Sequence, residues 1–172
     1  AICLNVKNGS KVWDIRSESS FIKSQNFLSS AISTKDEVVF VTSSGDLIKS
    51  NLSDGKILWS TNTLESTMAN ASDFFKSSKI VIDDNIIIFS AKSSIFSFNI
   101  NSGYMNWKRE VSSIGAPIID GKNIFIQTVN GYFVILDKET GSILSSTNIL
   151  KILKKSKKKI FITGFVMGSE KI

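Results

Sequence analysis

The sequence has no histidine and, among its 172 residues, only one cysteine and one proline. Because Cys3 has no second thiol and no histidine to accompany it, an internal disulfide and a cysteine–histidine metal centre are both excluded. We expect Cys3 to be a buried thiol within a strand. No segment approaches the ~18 consecutive apolar residues of a membrane-spanning helix. The opening residues AICLN also carry no signal peptide or lipobox.

What remains is the composition of a globular chain. Hydrophobic residues make up 42% and charged residues 21%, which is too apolar for a disordered protein. The net charge is +6, and much of the excess lies in one lysine run at 151–159. The charge is therefore a local feature rather than a property of the whole surface.

A glycine recurs along the chain at intervals of 46, 48 and 38 residues, at Gly9, Gly55, Gly103 and Gly141. Aligned on this glycine, the last three copies match without gaps for over twenty residues. The aligned segments are STKDEVVFVTSSGDLIKSNLSDGKILW, VIDDNIIIFSAKSSIFSFNINSGYMNW and IDGKNIFIQTVNGYFVILDKETGSILS. Such internal periodicity is typical of repeat architectures.

Each copy predicts a run of short strands. A polar turn precedes an apolar, β-branched run that we expect to be buried on both faces, and a hairpin at Gly45, Ser93 or Gly131 follows. The next strand ends on Asn or Asp, the turn glycine permits a positive φ, and another strand begins. An inner strand is expected upstream, in SSAIS (29–33), SSKIVID (77–83) and APIID (116–120). Four antiparallel strands every ~40–50 residues indicate an all-β propeller of four-stranded blades.

The alignment also predicts the extent of each blade. We expect one partial propeller domain over 1–172, an incomplete arc of about three full blades with partial blades at both ends. The predicted parts are the end of a blade at 1–16, blades at 29–62, 77–110 and 114–148, and the start of a further blade at 160–172.

Three tryptophans, Trp13, Trp59 and Trp107, share one position in the repeat. We expect them to pack between successive blades, each burying ~150–250 Å². The alternative is that these tryptophans stack on a nucleic-acid base or contact a ligand. Ser145 stands at this position in the last copy, which predicts looser packing there.

The repeat resembles that of pyrroloquinoline quinone (PQQ) propellers, in which an acidic or amide residue precedes a T/S/D-G-K-x-x-W motif. LDKETGSIL (136–144) and NLSDGKILW (51–59) are most similar, and NINSGYMNW and NVKNGSKVW are good variants. Enzymes and non-enzymes share this scaffold, so the motif predicts the fold rather than the function.

Quinoprotein dehydrogenases are one family with this repeat. The resemblance implies PQQ and calcium in a central funnel, an adjacent cysteine pair, a catalytic aspartate and carboxylate or amide ligands to the calcium. With Cys3 alone, that pair is excluded within this segment, and the acidic residues lie mainly in repeat turns. We therefore predict no catalytic, cofactor-binding or metal-binding residue, no cofactor and no small-molecule substrate.

The second family is the BamB-type lipoprotein of the outer-membrane β-barrel assembly machinery, an eight-bladed propeller with similar repeats. This resemblance implies a non-catalytic scaffold at the periplasmic face of the outer membrane, with a lipid anchor lying outside this fragment. The implied partner is the periplasmic domain of the barrel-assembly protein. A segment of a PQQ-dependent dehydrogenase remains the alternative.

Two groups of residues outside the repeat are candidates for partner contact, because loops carry function more often than strands. The longest insertions are 17–28 and 61–78, and the second contains Met68, Phe74 and Phe75. The alternative to partner contact is that these three side chains fold back onto the blade.

The second group is the lysine run, which contributes Lys154, Lys155, Lys157 and Lys158. A solvated loop is its simplest interpretation, and an anionic membrane surface or acidic partner the next. Nucleic acid is not expected, because the charges lack interleaved aromatics.

Overall fold

In the computed structural model, the described residues form three four-stranded antiparallel sheets and one two-stranded sheet. The structure describes residues 1–16, 29–42, 45–63, 77–91, 94–111, 113, 115–152 and 164–168. Each sheet is one blade, and we number the blades in chain order. The strands form an open arc of propeller blades, as the repeat predicts.

The strands of each blade follow one another in the sequence. The first blade consists of β1 (Ile2–Leu4) and β2 (Lys11–Asp14). The second contains β3 (Ser30–Thr34), β4 (Glu37–Val41), β5 (Asp46–Asn51) and β6 (Ile57–Asn62). The third contains β7 (Val81–Asp83), β8 (Ile86–Ala91), β9 (Ser94–Asn99) and β10 (Met105–Arg109). The fourth contains β11 (Ile118–Asp120), β12 (Asn123–Gln127), β13 (Tyr132–Asp137) and β14 (Ile143–Asn148), followed by the single-turn helix α1 (Ile149–Ile152).

The first strand of each complete blade lies on the inner side of the arc. The inner strand β7 contacts both β3 and β11 across the blade boundaries. Strands β7 and β11 fall within the segments that the sequence predicts for them, and β3 extends one residue beyond its predicted segment, to Thr34. The blades therefore converge at their inner strands and diverge toward the outer ones.

Apolar side chains fill the spaces between successive blades. The second strands β4 and β8 are buried on both faces because each face meets a different neighbouring blade. One cluster joins blades one and two, around Val38, Phe40 and Ile48. A second joins blades two and three, around Val39, Leu47, Phe89 and Phe98, and a third joins blades three and four, around Ile88, Ile95, Ile126 and Leu136.

The register of the third blade differs by one residue from the gap-free alignment. Glu37 pairs with Asn51 in the second blade, and Asn123 pairs with Asp137 in the fourth. In the third blade Ile86, rather than the aligned Asn85, pairs with Asn99. A shift of one residue exchanges the two faces of a strand, so the alignment is wrong about which side chains of β8 face each neighbour.

Hairpin length explains this shift. In the second and fourth blades a three-residue loop ends on a glycine with positive φ, Gly45 (85°) or Gly131 (78°). The third blade has serine at the aligned position 93, and Ala91 pairs directly with Ser94 across a two-residue loop. The third blade therefore has a longer strand and a shorter loop than its neighbours.

A β-bulge interrupts each outer strand one residue before the tryptophan position. Cys3 pairs with Trp13 but Leu4 with Lys11, and Lys49 pairs with Trp59 but Ser50 with Ile57. The pairing of β10 and of β14 also skips one residue at this point. The extra residues are Val12, Leu58, Asn106 and Leu144, which share no residue type that would have signalled a bulge.

Cys3 lies in a strand, as predicted, but its side chain is only partly buried. The expectation of a buried thiol is wrong because, among the described residues, β1 pairs with β2 alone, so no strand lies along its other edge.

Candidate functional site: tryptophan seats between blades

The turn that follows the third strand of each blade is built by an Asn or Asp side chain and a glycine. Asn51 Oδ1 accepts hydrogen bonds from the Ser53 backbone N (2.8 Å) and Oγ (2.7 Å). Asp137 Oδ1 accepts from the Thr140 backbone N (2.8 Å) in the fourth blade. The turn glycines have φ values of 70°, 74°, 72° and 67° at Gly9, Gly55, Gly103 and Gly141. The glycines allow a left-handed conformation that other residues rarely adopt.

Each turn glycine from the second blade onward lies directly beneath the tryptophan of the preceding blade. A Cβ atom added at Gly55 would lie 2.7 Å from Trp13 Cγ. At Gly103 it would lie 2.7 Å from Trp59 Cδ2, and at Gly141 2.5 Å from Trp107 Cδ2. We call each such position a tryptophan seat. The glycine there allows both the turn conformation and the close approach of the indole.

The indole nitrogen fixes each tryptophan in its seat. Trp13 Nε1 donates to the Leu52 carbonyl at 2.8 Å, and Trp59 Nε1 donates to the Ile100 carbonyl at 3.0 Å. Trp107 Nε1 donates to the Lys138 carbonyl at 3.1 Å. The accepting residue is always the third before the turn glycine, so one geometry is repeated at three blade boundaries.

A second polar contact accompanies two of the seats. Thr61 lies two residues after Trp59 and donates from Oγ1 to the Gly103 carbonyl at 2.7 Å. Arg109 holds the same position after Trp107 and donates from Nε to the Gly141 carbonyl at 2.9 Å. Sequence reasoning missed this contact, since threonine and arginine share no signal beyond their spacing from the tryptophan.

An ion pair also crosses the boundary between the third and fourth blades. Lys138 Nζ lies 2.8 Å from Asp83 Oδ2 and 3.7 Å from Asp84 Oδ2. The hydrogen bond to Asp83 raises the pKa of Lys138. Lys138 therefore binds the third blade in two ways, because its carbonyl accepts the Trp107 N–H and its side chain pairs with Asp83.

The Asp137 turn predicts a dependence of stability on pH. Hydrogen bonds from the Thr140 backbone, and next from its side chain, lower the pKa of Asp137. A lowered pKa in the folded state contributes stability above the unfolded pKa, and this is lost as pH falls through the folded value. We expect Asp137→Asn, the residue type of Asn51 and Asn99, to have a lower Tm than the parent at pH 7 and a smaller difference at pH 2.5. Calorimetry at both pH values checks this, and an equal difference at both would contradict it.

The other predicted site residues have the following positions. Met68, Phe74, Phe75, Lys154, Lys155, Lys157 and Lys158 lie outside the described residues. Ser145 lies on β14 and is exposed, together with Ile143 and Leu144. Within the described ranges, no three His, Cys, Asp or Glu side chains form a group able to hold a metal ion. The same ranges contain no helix with the length and apolarity to cross a membrane.

Repeated four-stranded blades, joined by an indole on the turn glycine of the next blade, define a β-propeller of the PQQ-like class. The chain belongs to the family described as outer membrane protein assembly factor BamB, whose model matches residues 1–147. An uncharacterized protein of Rickettsia conorii is 22% identical over 172 aligned residues, which cover 96% of this chain and 41% of that protein. The chain therefore spans less than half the length of this curated relative.

Solved structures of two kinds of protein have a similar fold. BamB from Moraxella catarrhalis is similar with a TM-score of 0.58 and 23% identity, over 81% of this chain and 40% of that chain. Quinohemoprotein alcohol dehydrogenase from Comamonas testosteroni is similar with a TM-score of 0.65 and 12% identity, over 84% and 31% of the two chains. A family of assembly factors and an enzyme thus both have this blade architecture.

Proposed function

We propose that this chain is a non-catalytic propeller scaffold that binds other proteins during assembly of outer-membrane β-barrels. The observation that carries the proposal is the match of the BamB family model to residues 1–147. The proposed partner is the periplasmic domain of the barrel-assembly protein, and the proposed location is the periplasmic face of the outer membrane. The lipid anchor would lie outside residues 1–172.

The way in which the repeat residues are used supports a scaffold. The indole nitrogens donate to carbonyls of the next blade, and the Asn or Asp side chains accept from their own turns. Because the repeat maintains the fold, we assign partner binding to segments outside it. Met68, Phe74 and Phe75 are the proposed apolar contacts. Lys154, Lys155, Lys157 and Lys158 are the proposed contacts for an acidic partner or anionic lipid.

A pull-down with the intact protein tests this proposal. We expect it to retain the periplasmic domain of the barrel-assembly protein, and Met68→Ser/Phe74→Ser/Phe75→Ser to weaken binding about tenfold or more through loss of apolar contact. The matched control is Tyr104→Ser/Met105→Ser, which instead removes exposed apolar side chains from the end of a repeat turn and the start of β10. Equal retention of both variants would remove the assignment to the 61–78 insertion. Failure of the parent protein to bind would remove the proposed partner.

A PQQ-dependent dehydrogenase segment is the second candidate, favoured by the similarity to the Comamonas testosteroni enzyme. Titration of the intact protein with PQQ and calcium separates the two candidates. The scaffold proposal predicts no saturable change in PQQ absorbance and no alcohol-dependent reduction of an electron-accepting dye. Stoichiometric PQQ binding together with dye reduction would establish the enzyme instead.

A further inference from the structure

The hairpin between β12 and β13 has the same backbone framework as its counterpart in the second blade. Thr128 N donates to the Tyr132 carbonyl at 2.8 Å, as Thr42 N donates to the Asp46 carbonyl at 2.8 Å. In both loops the glycine N–H donates to the threonine carbonyl at 3.0 Å. Threonine and glycine therefore specify this hairpin, whatever residues occupy the positions between and after them.

Those other positions change from polar to apolar in the fourth blade. Val129 and Tyr132 stand where the second blade has Ser43 and Asp46. Val129 is 61% exposed and Tyr132 is 36% exposed, so neither side chain fills the core. Because the second blade builds the same framework from polar residues, the hairpin itself does not require the two apolar side chains. We call Val129 and Tyr132 the apolar tip.

The single-turn helix α1 is fixed against the same hairpin. Ile149 N donates to the Gly131 carbonyl at 3.0 Å, and Asn148 Oδ1 accepts from Lys151 N at 3.0 Å. A Cβ atom added at Gly131 would collide with the Leu150 side chain, so the glycine lets the helix approach the loop closely. Lys151, the first lysine of the run, is exposed and forms no ion pair with a described residue. The lysine run therefore begins beside the apolar tip.

The sequence around this point carries charge of one sign. Residues 140–169 contain six lysines and no acidic residue, so this segment has the whole net charge of +6. The hairpin at 128–132 has no acidic residue either, whereas the equivalent hairpin of the second blade carries Asp46. An anionic partner that approaches the apolar tip therefore meets an excess of positive charge.

We propose that Val129, Tyr132 and Lys151 form a docking surface for an anionic phospholipid membrane. Lys151 and the run that follows it attract the headgroups, and the apolar tip lies at the boundary between headgroups and acyl chains. An aromatic ring with a hydroxyl group suits that boundary. This inference deepens the proposed function, on which it rests, because that function allows the lysine run either an acidic protein or an anionic lipid.

The neighbouring positions of the charge and the apolar tip favour the lipid. A bilayer has anionic phosphates and hydrocarbon in adjacent layers, so one surface satisfies lysines and apolar side chains together. An acidic protein surface would attract the lysines, but its carboxylates would lose hydration against Val129 and Tyr132. Peripheral membrane binding also becomes stable when two weak signals of this kind combine.

Co-sedimentation of the 172-residue chain with sucrose-loaded vesicles tests the surface. One set of vesicles contains phosphatidylcholine alone, and the other contains phosphatidylcholine with phosphatidylglycerol. We expect binding to the anionic vesicles and little to the neutral ones. We also expect a steep loss of binding when the salt concentration rises from about 0.1 M to about 1 M, since the Debye length falls from about 10 Å to about 3 Å.

Matched variants locate the contact. Val129→Ser/Tyr132→Ser is expected to lower the vesicle partition coefficient about fivefold or more through loss of the apolar contact. Lys151→Gln is expected to lower it about fivefold through loss of one charge near the surface. The control is Tyr104→Ser/Met105→Ser, which removes exposed apolar side chains from the opposite end of a blade and is expected to leave the partition coefficient unchanged. Circular dichroism checks that each variant is folded.

Three results would overturn the inference. One is failure of the parent chain to bind the anionic vesicles, and another is a Val129→Ser/Tyr132→Ser variant that binds them as the parent does. The third is a soluble polyglutamate peptide that binds as tightly as the anionic vesicles, which would assign the surface to an acidic protein. The vesicle assay contains no barrel-assembly protein, so its failure is distinguishable from failure of the proposed function in the pull-down.

Discussion

Trp107→Ala is expected to lower the free energy of unfolding by about 3–5 kcal/mol, the usual cost of truncating a buried aromatic side chain. Trp107 is 7% exposed and packs in the cluster that joins the third and fourth blades. Its loss also leaves the Lys138 carbonyl without the indole donor. Since the two blades meet through this cluster, we expect the substitution to uncouple them as well as to create a cavity.

Urea unfolding followed by circular dichroism measures this change. The matched control is Tyr104→Ala, which removes an aromatic ring that is 78% exposed in the same blade. We expect the control to change stability by about 0.5 kcal/mol or less, as is usual for surface substitutions. Similar losses in the two variants would mean that the indole does not hold the blades together.

Gly141→Ala has the second largest expected effect, because two penalties combine at one position. The backbone φ of 67° costs a residue with a Cβ atom roughly 1–2 kcal/mol. The added Cβ would lie 2.5 Å from Trp107 Cδ2, and overpacking of this kind typically costs about 1–3 kcal/mol. We therefore expect a total loss of about 2–5 kcal/mol in the free energy of unfolding.

Gly121→Ala separates the two penalties. Gly121 also has a positive φ (56°), but its added Cβ would meet no atom within 4 Å. This variant is expected to lose only the backbone term, about 1–2 kcal/mol. If Gly121→Ala is destabilised as much as Gly141→Ala, backbone strain alone explains the need for glycine at position 141. The close contact with the indole would then contribute nothing to the loss of stability.

Much of the blade could be predicted from the sequence, because each turn carries its own chemistry. An Asn or Asp at the strand end and a glycine four residues later specify the turn locally, whatever the neighbouring blades do. The hydrogen bonds of Asn51, Asn99 and Asp137 within their turns confirm this interpretation. Short apolar runs between such turns are sufficient to place the strands.

The register of β8 could not be predicted in this way. The gap-free match holds Gly45, Ser93 and Gly131 in one column, but the length of a hairpin depends on whether a positive φ is available. Without glycine at position 93, the third blade pairs Ala91 with Ser94 and its strand faces are exchanged. A similarity in sequence therefore concealed a difference in pairing.

Contacts between blades depend on residues more than 30 positions apart, so no local pattern identifies the partner atoms. The repeat places Trp59 and Trp107 at equivalent positions, but it does not say that each indole meets a turn glycine. Thr61 and Arg109 reach the same carbonyl with different side chains, which makes their shared role visible only in three dimensions. The bulges before each tryptophan are likewise a property of pairing rather than of residue type.

The indole that lies on the turn glycine of the next blade holds successive blades together. A double-mutant cycle with Trp107→Ala, Gly141→Ala and the double variant tests it most directly, with unfolding free energies measured in urea. We predict that Gly141→Ala costs at least about 1 kcal/mol less when Trp107 is already alanine, because the clash then disappears. Losses that add to within about 0.5 kcal/mol would show that the two residues act independently, and would contradict the claim.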